Sequence, residues 1–274
     1  MAGTVHRLAV LGHPVSHSRS PAMQNAALAA LGLGEWEYGA IDIEPGRFEA
    51  LVRGLPDEGF VGANVTVPHK EAALAVADEA SGAAEAIGAA NTLVFERGMI
   101  RAENTDAPGL LDAIGEFAGE LAGRRALALG AGGAGRAVVW ALAEAGADVM
   151  LWNRTHSRAE ELAAELGVEV IPPELHGEVD PGAFDVIVNA SAAGLGDGDG
   201  LSSLPLDPAG FRPGQTVVDM VYGKGPGTLV EAARRGGAET VDGLEVLVRQ
   251  GARSLAMWTG REPDLDVMRS AARA

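Results

Sequence analysis

The chain has 274 residues, no cysteine and a formal net charge of −17 at pH 7, with 47% hydrophobic and 4% aromatic residues. This length suits two domains of ordinary size. Without cysteine there are no disulfides, thiol nucleophiles or cysteine-based zinc sites, which fits a reducing compartment. The negative charge excludes non-specific attraction to nucleic acid and anionic membranes, so an anionic ligand must be captured by local groups.

The apolar start of the chain, 8–11, is too short for a signal peptide or a membrane span. The six histidines have no supporting ligand cluster. We therefore expect a soluble, cytoplasmic protein without a bound metal. The sequence does not distinguish a monomer from a homodimer.

Strand-like runs alternate with helix-like runs, which predicts an α/β fold with largely parallel sheets. In the first part we predict strands at 8–11, 38–43 and 60–67, helices at 20–31, 47–54 and 68–80, and a hairpin of 93–95 with 99–101. After Asp106 we predict helices at 110–121, 136–145, 158–166 and 244–259 and strands at 126–129, 148–152, 168–171, 184–188 and 216–220. The glycine–aspartate run 196–200 predicts a flexible surface loop.

A glycine-rich loop lies between the strand 126–129 and the following helix, and it matches the G-x-G-x-x-G pattern. Such a loop brings backbone amides and a helix N-terminus to a pyrophosphate. We therefore predict a dinucleotide site at Gly130, Gly132, Gly133, Ala134 and Gly135.

The next strand ends in Asn153, Arg154 and Thr155, and Arg158 follows one turn later. An NAD enzyme usually has a carboxylate here for the ribose hydroxyls, whereas a guanidinium pairs with the 2′-phosphate of NADP. These residues favour NADP(H). In the alternative interpretation, Thr155 caps the next helix and the arginines are only solvated.

Asn189 and Ser191 end another strand of the same predicted sheet, where open α/β folds place loops that contact ligands. A simple turn stabilised by Asn and Ser explains these residues equally well.

Ser20 and Pro21 are typical of a helix start, with Ser20 at the N-cap and Pro21 at the first helical position. Ser18 lies in the same loop. Two hydroxyls beside a helix N-terminus suit a carboxylate, whereas capping alone explains Ser20 but not Ser18.

If the helix 68–80 begins at Pro68, Lys70 lies in its first turn, where the helix dipole disfavours a cation. That position suits an acid/base catalyst, although an ordinary exposed lysine is an equally good interpretation. Asp106 precedes a helix, so it is either an N-cap or an ionised partner of Lys70.

At these motifs the chain resembles the shikimate dehydrogenases over essentially its whole length. Segments that resemble the motifs of that family occur in the family's order at 12–21, 62–71, 91–93, 104–106, 130–136, 153–155, 219–222 and 250–252. Two segments depart from the family pattern: Ala102-Glu103 replaces Gly-Asp, and a glycine-rich run at 223–228 replaces Thr-Pro-Leu-Leu. The second change predicts a looser loop on the nicotinamide side.

The resemblance implies reversible NADPH-dependent reduction of 3-dehydroshikimate to shikimate, a step of chorismate and aromatic amino-acid biosynthesis. It implies that Lys70 is the acid/base group, paired with Asp106, and that Ser18 and Ser20 bind the substrate carboxylate. It further implies that Asn64, Thr66, Asn91, Tyr222 and Gln250 hold hydroxyls or close the pocket. To the cofactor residues it adds Met220 and Gly243.

The resemblance also implies a substrate domain of mixed or mostly parallel sheet, 1–106 with 244–274, a Rossmann-like NADP domain, 107–243, and a cleft between them. A quinate or amino-shikimate dehydrogenase of the same fold is the nearest alternative. A second alternative is a non-catalytic NADP-binding regulator. The presence of both Lys70 and Asp106 argues against it, because a protein that only binds NADP does not need this pair. Glutamyl-tRNA reductases have a similar fold but rely on a cysteine that this chain lacks.

Overall fold

The structure, a computed structural model, describes residues 5–175, 179–194, 199–223 and 227–274, apart from the side chain of Glu116. Residues 196–198 of the predicted loop 196–200, and residues 224–226 of the glycine-rich run, lie outside this description. The chain divides into two compact units. Unit 1 is Met1–Gly109 with Leu247–Ala274, and unit 2 is Leu110–Val246.

Unit 1 is built on a mixed sheet with the strand order β2-β1-β3-β5-β6-β4. Neighbours β1 and β2, β1 and β3, and β4 and β6 are parallel, whereas β5 runs antiparallel to β3 and β6. Its strands are β1 (His6–Gly12), β2 (Trp36–Asp42), β3 (Phe60–Val65), β4 (Glu79–Ala80), β5 (Thr92–Glu96) and β6 (Met99–Glu103).

The helices of unit 1 pack around this sheet. They are α1 (Ser20–Ala30), α2 (Phe48–Gly54), α3 (Lys70–Val76), α4 (Gly82–Ile87), the first residues of α5 (Asp106–Ala118), most of α9 (Gly243–Thr259) and α10 (Leu265–Arg273). Short 3-10 turns, Pro45–Arg47 and Leu55–Glu58, flank α2. Apolar side chains of β1 and β3 form one buried cluster with Phe48 and Val52 of α2 and with Ala73 and Val76 of α3.

Unit 2 contains an entirely parallel sheet with the order β12-β11-β10-β7-β8-β9. Counted in chain order from β7, this is the 3-2-1-4-5-6 order of the Rossmann fold, with the reversal of direction between β7 and β10. The strands are β7 (Arg125–Leu129), β8 (Asp148–Trp152), β9 (Glu169–Val170), β10 (Val186–Asn189), β11 (Thr216–Asp219) and β12 (Glu239–Asp242). Its other helices are α6 (Gly133–Glu144), α7 (His156–Leu166) and α8 (Thr228–Arg235).

The α/β class, the mixed sheet and the Rossmann-like sheet are confirmed. The predicted helix 68–80 is wrong at both ends. A turn in which His69 N donates to Thr66 O at 2.9 Å precedes α3, and a short strand, β4, pairs with β6 after it. The helix predicted at 110–121 begins at Asp106, because Asn104 Oδ1 caps it by accepting from Ala107 N at 3.2 Å. The elements α4, α8, α10, β4 and β12 were not predicted.

Candidate active site

The segments that carry the predicted substrate residues of unit 1 start or end at one edge of its sheet, the edge formed by the carboxyl ends of β1 and β3. β1 and β3 are parallel, with Leu11 paired to Val65, so the loops after both strands leave from the same edge. β5 begins at Thr92 and β6 ends at Glu103, and these two residues pair with each other at that edge. The residues that flank these strand ends include Ser18, Thr66, Asn91 and Asp106.

Lys70 and Asp106 form a buried ion pair, with 2.5 Å between Lys70 Nζ and Asp106 Oδ2. Lys70 is the first residue of α3 and is 9% exposed, so the interpretation of an ordinary exposed lysine is wrong. Its backbone is also held, because Ala90 N donates to Lys70 O at 2.9 Å. Asp106 is the first residue of α5, and its carboxylate faces Lys70 rather than capping the helix.

Asn91 connects this ion pair to Gln250. Its Nδ2 lies 2.9 Å from Asp106 Oδ1 and 3.0 Å from Gln250 Oε1. Its Oδ1 accepts from Thr105 N at 2.7 Å, which fixes the orientation of the amide because a backbone N–H can only donate. Both oxygens of Asp106 therefore accept hydrogen bonds, one from Lys70 and one from Asn91.

Gln250 lies on α9 and is also held in one orientation. Its Nε2 donates to Leu247 O at 3.0 Å, while its Oε1 faces Asn91 Nδ2. One Nε2 hydrogen is left for a ligand, so Gln250 is arranged to donate to an oxygen atom.

A buried polar cluster behind these residues was not predicted as a unit. The hydroxyls of Thr92, Thr105 and Ser254 lie 2.9–3.2 Å from one another. Asn64 Nδ2 donates to Ser254 Oγ at 2.9 Å, and Tyr38 Oη donates to Asn64 Oδ1 at 2.7 Å. Ser254 is four residues after Gln250 on the same helical face, and this spacing was the sequence signal for it. Tyr38 lies on β2, and no local pattern connects it to the site.

The helix start at Ser20 differs from the prediction by one position. Ser20 is the first residue of α1, and Arg19 occupies the N-cap without a capping side-chain bond. Ser18 Oγ accepts from Ser20 N at 3.2 Å. This bond gives Ser18 a role in the local turn, which capping by Ser20 alone did not explain. Ser18 and Ser20 lie in the loop between β1 and α1, which leaves the site edge of the sheet.

This loop is held at its start by Asp42, at the end of β2. Asp42 Oδ1 lies 2.6 Å from His13 Nδ1, and Asp42 Oδ2 accepts from Val15 N at 3.1 Å. The hydrogen bonds from His13 and Val15 lower the pKa of Asp42 below its ordinary value. The loop that carries Ser18 is therefore anchored to the neighbouring strand.

In unit 2 the glycine-rich loop leaves β7 at the point where the strand order reverses. Gly130 has φ +112°, and a Cβ there would lie 2.9 Å from Ser191 N and Cα. A Cβ at Gly135 would lie 2.0 Å from Gly130 O, so only glycine allows α6 to start this close to the loop. Among the residues that the structure describes, none beyond the chain neighbours of Gly132 has an atom within 4 Å of its Cβ position. Because glycine has no side chain, the space beside the loop is open.

The end of β8 supports this loop and presents two arginines. Asn153 Oδ1 accepts from Ala131 N at 3.1 Å, and Asn153 Nδ2 donates to Thr155 O at 2.8 Å. Thr155 occupies the N-cap of α7, but its side chain makes no capping hydrogen bond. Arg154 and Arg158 are exposed, and neither has an ion-pair partner among the residues that the structure describes.

Asn189, Ser191, Met220 and Gly243 come together at the ends of β10 and β11. Asn189 Oδ1 accepts from Ser191 N and Oγ at 3.1 and 2.7 Å, so the turn interpretation accounts for both side chains. Met220 N donates to Asn189 O, and a Cβ on Gly243 would lie 2.4 Å from Met220 O. Contact of these residues with a cofactor stays a prediction.

Asp219 is buried beside them and accepts from Asn189 Nδ2 at 2.9 Å and from Val221 N at 3.2 Å. Burial raises the pKa of Asp219 to about 6, although these two hydrogen bonds act in the opposite direction. Tyr222 follows Asp219 by three residues and is half-buried.

Within the described ranges, no group of three or more His, Asp or Glu side chains is arranged to hold a metal ion. None of the helices described is long and apolar enough to cross a membrane.

A Rossmann sheet with a glycine-rich loop at its reversal point, in a chain that also buries a lysine–aspartate pair, defines the class of two-unit dinucleotide-dependent oxidoreductases. Family models match most of the chain. The shikimate dehydrogenase substrate binding domain matches residues 10–93, the shikimate/quinate 5-dehydrogenase model matches 113–194, and the shikimate 5′-dehydrogenase C-terminal domain matches 243–273.

Individual relatives agree with these models. The NADP(+) shikimate dehydrogenase of Moorella thermoacetica is 44% identical, over 95% of this chain and 90% of that protein. The crystal structure of shikimate 5-dehydrogenase from Thermus thermophilus in complex with NADP(H) and shikimate has a TM-score of 0.87 and 42% identity, over 98% of this chain and 99% of that one. The chain belongs to the shikimate dehydrogenase family.

The family also includes a different specificity. Quinate dehydrogenase from Corynebacterium glutamicum, in complex with NAD, has a TM-score of 0.85 and 31% identity, over 97% of this chain and 98% of that one. Fold likeness alone therefore does not separate the two substrates.

Proposed function

We propose that this protein catalyses the reversible NADP-dependent reduction of 3-dehydroshikimate to shikimate, in chorismate and aromatic amino-acid biosynthesis. The observation that carries the proposal is the buried Lys70–Asp106 pair, with Asn91 in contact with Asp106 and Gln250 in contact with Asn91. An acid/base group held beside amide donors suits an alcohol that is oxidised and a carbonyl that is reduced. Family membership supplies the substrate class.

The loop after β7 fits a dinucleotide. The open space at Gly132 and the close approach of α6 at Gly135 leave room for a pyrophosphate at a helix N-terminus. Asn153 holds the loop through Ala131 N. The exposed guanidiniums of Arg154 and Arg158, on a chain with net charge −17, provide local positive charge for a 2′-phosphate.

For the substrate, we assign the carboxylate to Ser18 and Ser20 and the hydroxyls to Thr66, Asn91, Gln250 and Tyr222. The hydroxyls of the two serines and the backbone N–H groups at the start of α1 bind an anion without a cation. Asn64 keeps its predicted contact with a substrate hydroxyl. Through the bonds of its amide to Tyr38, Asn91 O and Ser254, it also supports Asn91 and Gln250.

When bound, the nicotinamide ring of NADP(H) supplies or accepts the hydride. In reduction, Lys70 Nζ donates a proton to the reacting carbonyl oxygen, and in oxidation it accepts the hydroxyl proton. Asp106 Oδ2 accepts one Nζ hydrogen and so fixes the direction of the others. Asn91 holds Asp106 Oδ1, which keeps the carboxylate from rotating away. A positioned acid/base of this kind contributes a factor of about 10²–10⁴.

The direct test is kcat/KM, followed by absorbance at 340 nm, for shikimate and quinate, each with NADP⁺ and NAD⁺. We expect turnover to be concentrated in the shikimate–NADP⁺ pair. Higher kcat/KM with quinate would replace this proposal with that of a quinate dehydrogenase, and higher kcat/KM with NAD⁺ would overturn the assignment of NADP as the cofactor. Absent turnover with NADP⁺ still bound would indicate a non-catalytic binder.

We also propose a cytoplasmic enzyme that acts as a monomer or homodimer. The cysteine-free composition supports a reducing compartment. Cell fractionation tests the cytoplasmic location, and light scattering on the protein as it elutes from a size-exclusion column tests the oligomeric state.

A further inference from the structure

We propose that Tyr38 and Ser254 are positioning residues that act through one buried hydrogen-bond chain to direct Asn91 toward Asp106 and Gln250. The inference rests on the proposed function and extends it to residues outside the substrate and cofactor contacts. Tyr38 and Ser254 are 3% and 0% exposed, and the hydroxyls of both bond to the side chain of Asn64.

The chain begins at the phenol of Tyr38. Asn64 Nδ2 lies 3.2 Å from Asn91 O, which is a carbonyl and only accepts, so the amide of Asn64 must turn its nitrogen toward Asn91. Its Oδ1 then faces Tyr38 Oη at 2.7 Å, and Tyr38 donates. The phenol therefore holds Asn64 in the orientation in which its nitrogen serves the cluster.

Ser254 is the next link. Its Oγ accepts from Asn64 Nδ2 at 2.9 Å, so its own hydrogen is free to be donated. The acceptors within reach are Thr92 Oγ1 at 2.9 Å, Thr105 Oγ1 at 3.1 Å and Gln250 O, one turn earlier on α9, at 3.1 Å. The hydroxyl cluster thus receives a hydrogen bond from Asn64 Nδ2 on the side away from the active site, and Ser254 has one hydrogen to donate to one of these three acceptors.

The last link is a competition at Asn91. Its Nδ2 has two hydrogens but three acceptors at 2.9–3.0 Å, which are Asp106 Oδ1, Gln250 Oε1 and Thr105 Oγ1. In this arrangement Ser254 donates to the cluster rather than to Gln250 O, and its hydrogen bond, direct or relayed through Thr92, satisfies Thr105 Oγ1. Asn91 then bonds to Asp106 and Gln250, which is the arrangement that catalysis needs.

Loss of either hydroxyl therefore releases the same restraint. In Ser254→Ala, Thr105 Oγ1 competes for Asn91, and in Tyr38→Phe Asn64 Oδ1 loses its donor, so the Asn64 amide is held only through its nitrogen. Each single variant is expected to lower kcat/KM for shikimate about tenfold, mainly through kcat, with the Kd for NADP⁺ unchanged. Because both act through one chain, the double variant should lose about tenfold rather than about a hundredfold.

Thr259→Val is the matched control. It removes another hydroxyl of α9, which donates to Leu255 O at 2.7 Å and has no contact with the cluster. We expect no loss of kcat in Thr259→Val and additive effects when it is combined with Tyr38→Phe. Tyr38→Phe keeps the aromatic ring, so the test holds even if Ser254→Ala folds poorly.

Additive losses in the Tyr38→Phe/Ser254→Ala pair, an unchanged kcat in both single variants, or an equal loss in Thr259→Val would overturn the proposal. A wild-type protein without shikimate turnover would instead remove the proposed function itself. An active wild type with unaffected variants removes only the positioning chain.

Discussion

Lys70 and Asp106 are the only oppositely charged groups in contact in the buried part of the site that the structure describes. Each loses hydration on burial, and each is compensated by the other. Removal of one partner leaves an uncompensated charge, which typically costs about 3–5 kcal/mol of stability. The ion pair is therefore a structural as well as a chemical element of unit 1.

Lys70→Met tests the chemical role because it keeps much of the side-chain volume but has no proton to transfer. We expect kcat to fall at least about 100-fold. The Kd for NADP⁺, measured by calorimetry, should be unchanged, since the dinucleotide residues lie in the other unit. A kcat within threefold of the wild type, with a normal circular dichroism spectrum, would exclude Lys70 as the acid/base.

Asp219 gives a prediction for pH dependence. Its pKa is raised by burial to about 6 in the folded protein, against a value near 4 in the unfolded chain. Between these two pKa values the native state holds the Asp219 proton more tightly than the unfolded chain does. The free energy of unfolding therefore falls as pH rises, and above pH 6 the full cost of burying the ionised carboxylate is present. Two pKa units correspond to about 3 kcal/mol, an upper limit.

Asp219→Asn removes this cost and keeps an acceptor for Asn189 and Val221. We expect the melting temperature of the variant, relative to wild type, to be higher at pH 8 than at pH 4.5. An equal difference at both pH values would mean that Asp219 is ionised throughout this range.

At the scale of elements, α5 and α9 approach each other closely where the site is built. An ideal Cβ on Gly109 would lie 2.7 Å from the backbone nitrogen of Gln250. Gly109→Ala must shift α9 and Gln250 with it, so we expect a lower kcat/KM for shikimate and a lower melting temperature.

Gly115→Ala is the control on the same helix, because in the described part of the chain no atom outside its own helix lies within 4 Å of the Cβ position of Gly115. Helix propensity alone should stabilise that variant by up to about 1 kcal/mol without a change in kcat/KM. Wild-type kinetics in Gly109→Ala would mean that the helices separate without moving Gln250.

Elements with strong local signals were predicted well. The strand β8 was predicted to the residue, and the strand, glycine loop and helix around Gly130 were recognised, because periodicity and a required glycine are local properties. The start of α3 was misplaced at Pro68. Proline is common at the first position of a helix, but Pro68 lies inside the turn from Thr66 to His69 that comes before α3.

The support of the site was not predictable in the same way. Ser254, Asn64 and Tyr38 are 26 to 216 positions apart in the chain and meet only when β2, β3 and α9 pack. A serine in an amphipathic helix and a tyrosine in a strand have no sequence feature that marks them as partners. Tertiary contact alone defines their role.

At the scale of the whole molecule, the residues assigned to the substrate and those assigned to the dinucleotide belong to two separately packed units. Apart from Tyr222, the residues assigned to the substrate lie in unit 1, and those assigned to the dinucleotide lie in unit 2. Each ligand should therefore have its own set of sensitive positions.

Arg154→Ala tests this separation. We expect the Kd for NADP⁺ to rise about tenfold or more through loss of a charged hydrogen bond, with little change for NAD⁺ or for shikimate alone. Arg235→Ala, an exposed arginine of α8, makes the same change in net charge and serves as the control. Equal weakening in both variants, measured by calorimetry, would mean that the global charge, rather than Arg154, governs NADP⁺ affinity.

Gly109 and Gln250 also bear on how such a protein can change over evolution. The chain leaves unit 1 after Gly109 and returns at Leu247, less than one helical turn before Gln250, against which Gly109 packs. The Rossmann unit is thus an insert whose two attachment points are neighbours. Replacement of that insert by another with a different nucleotide preference requires only two short junctions. Cofactor choice can therefore be exchanged as a module while every assigned substrate residue except Tyr222 is inherited.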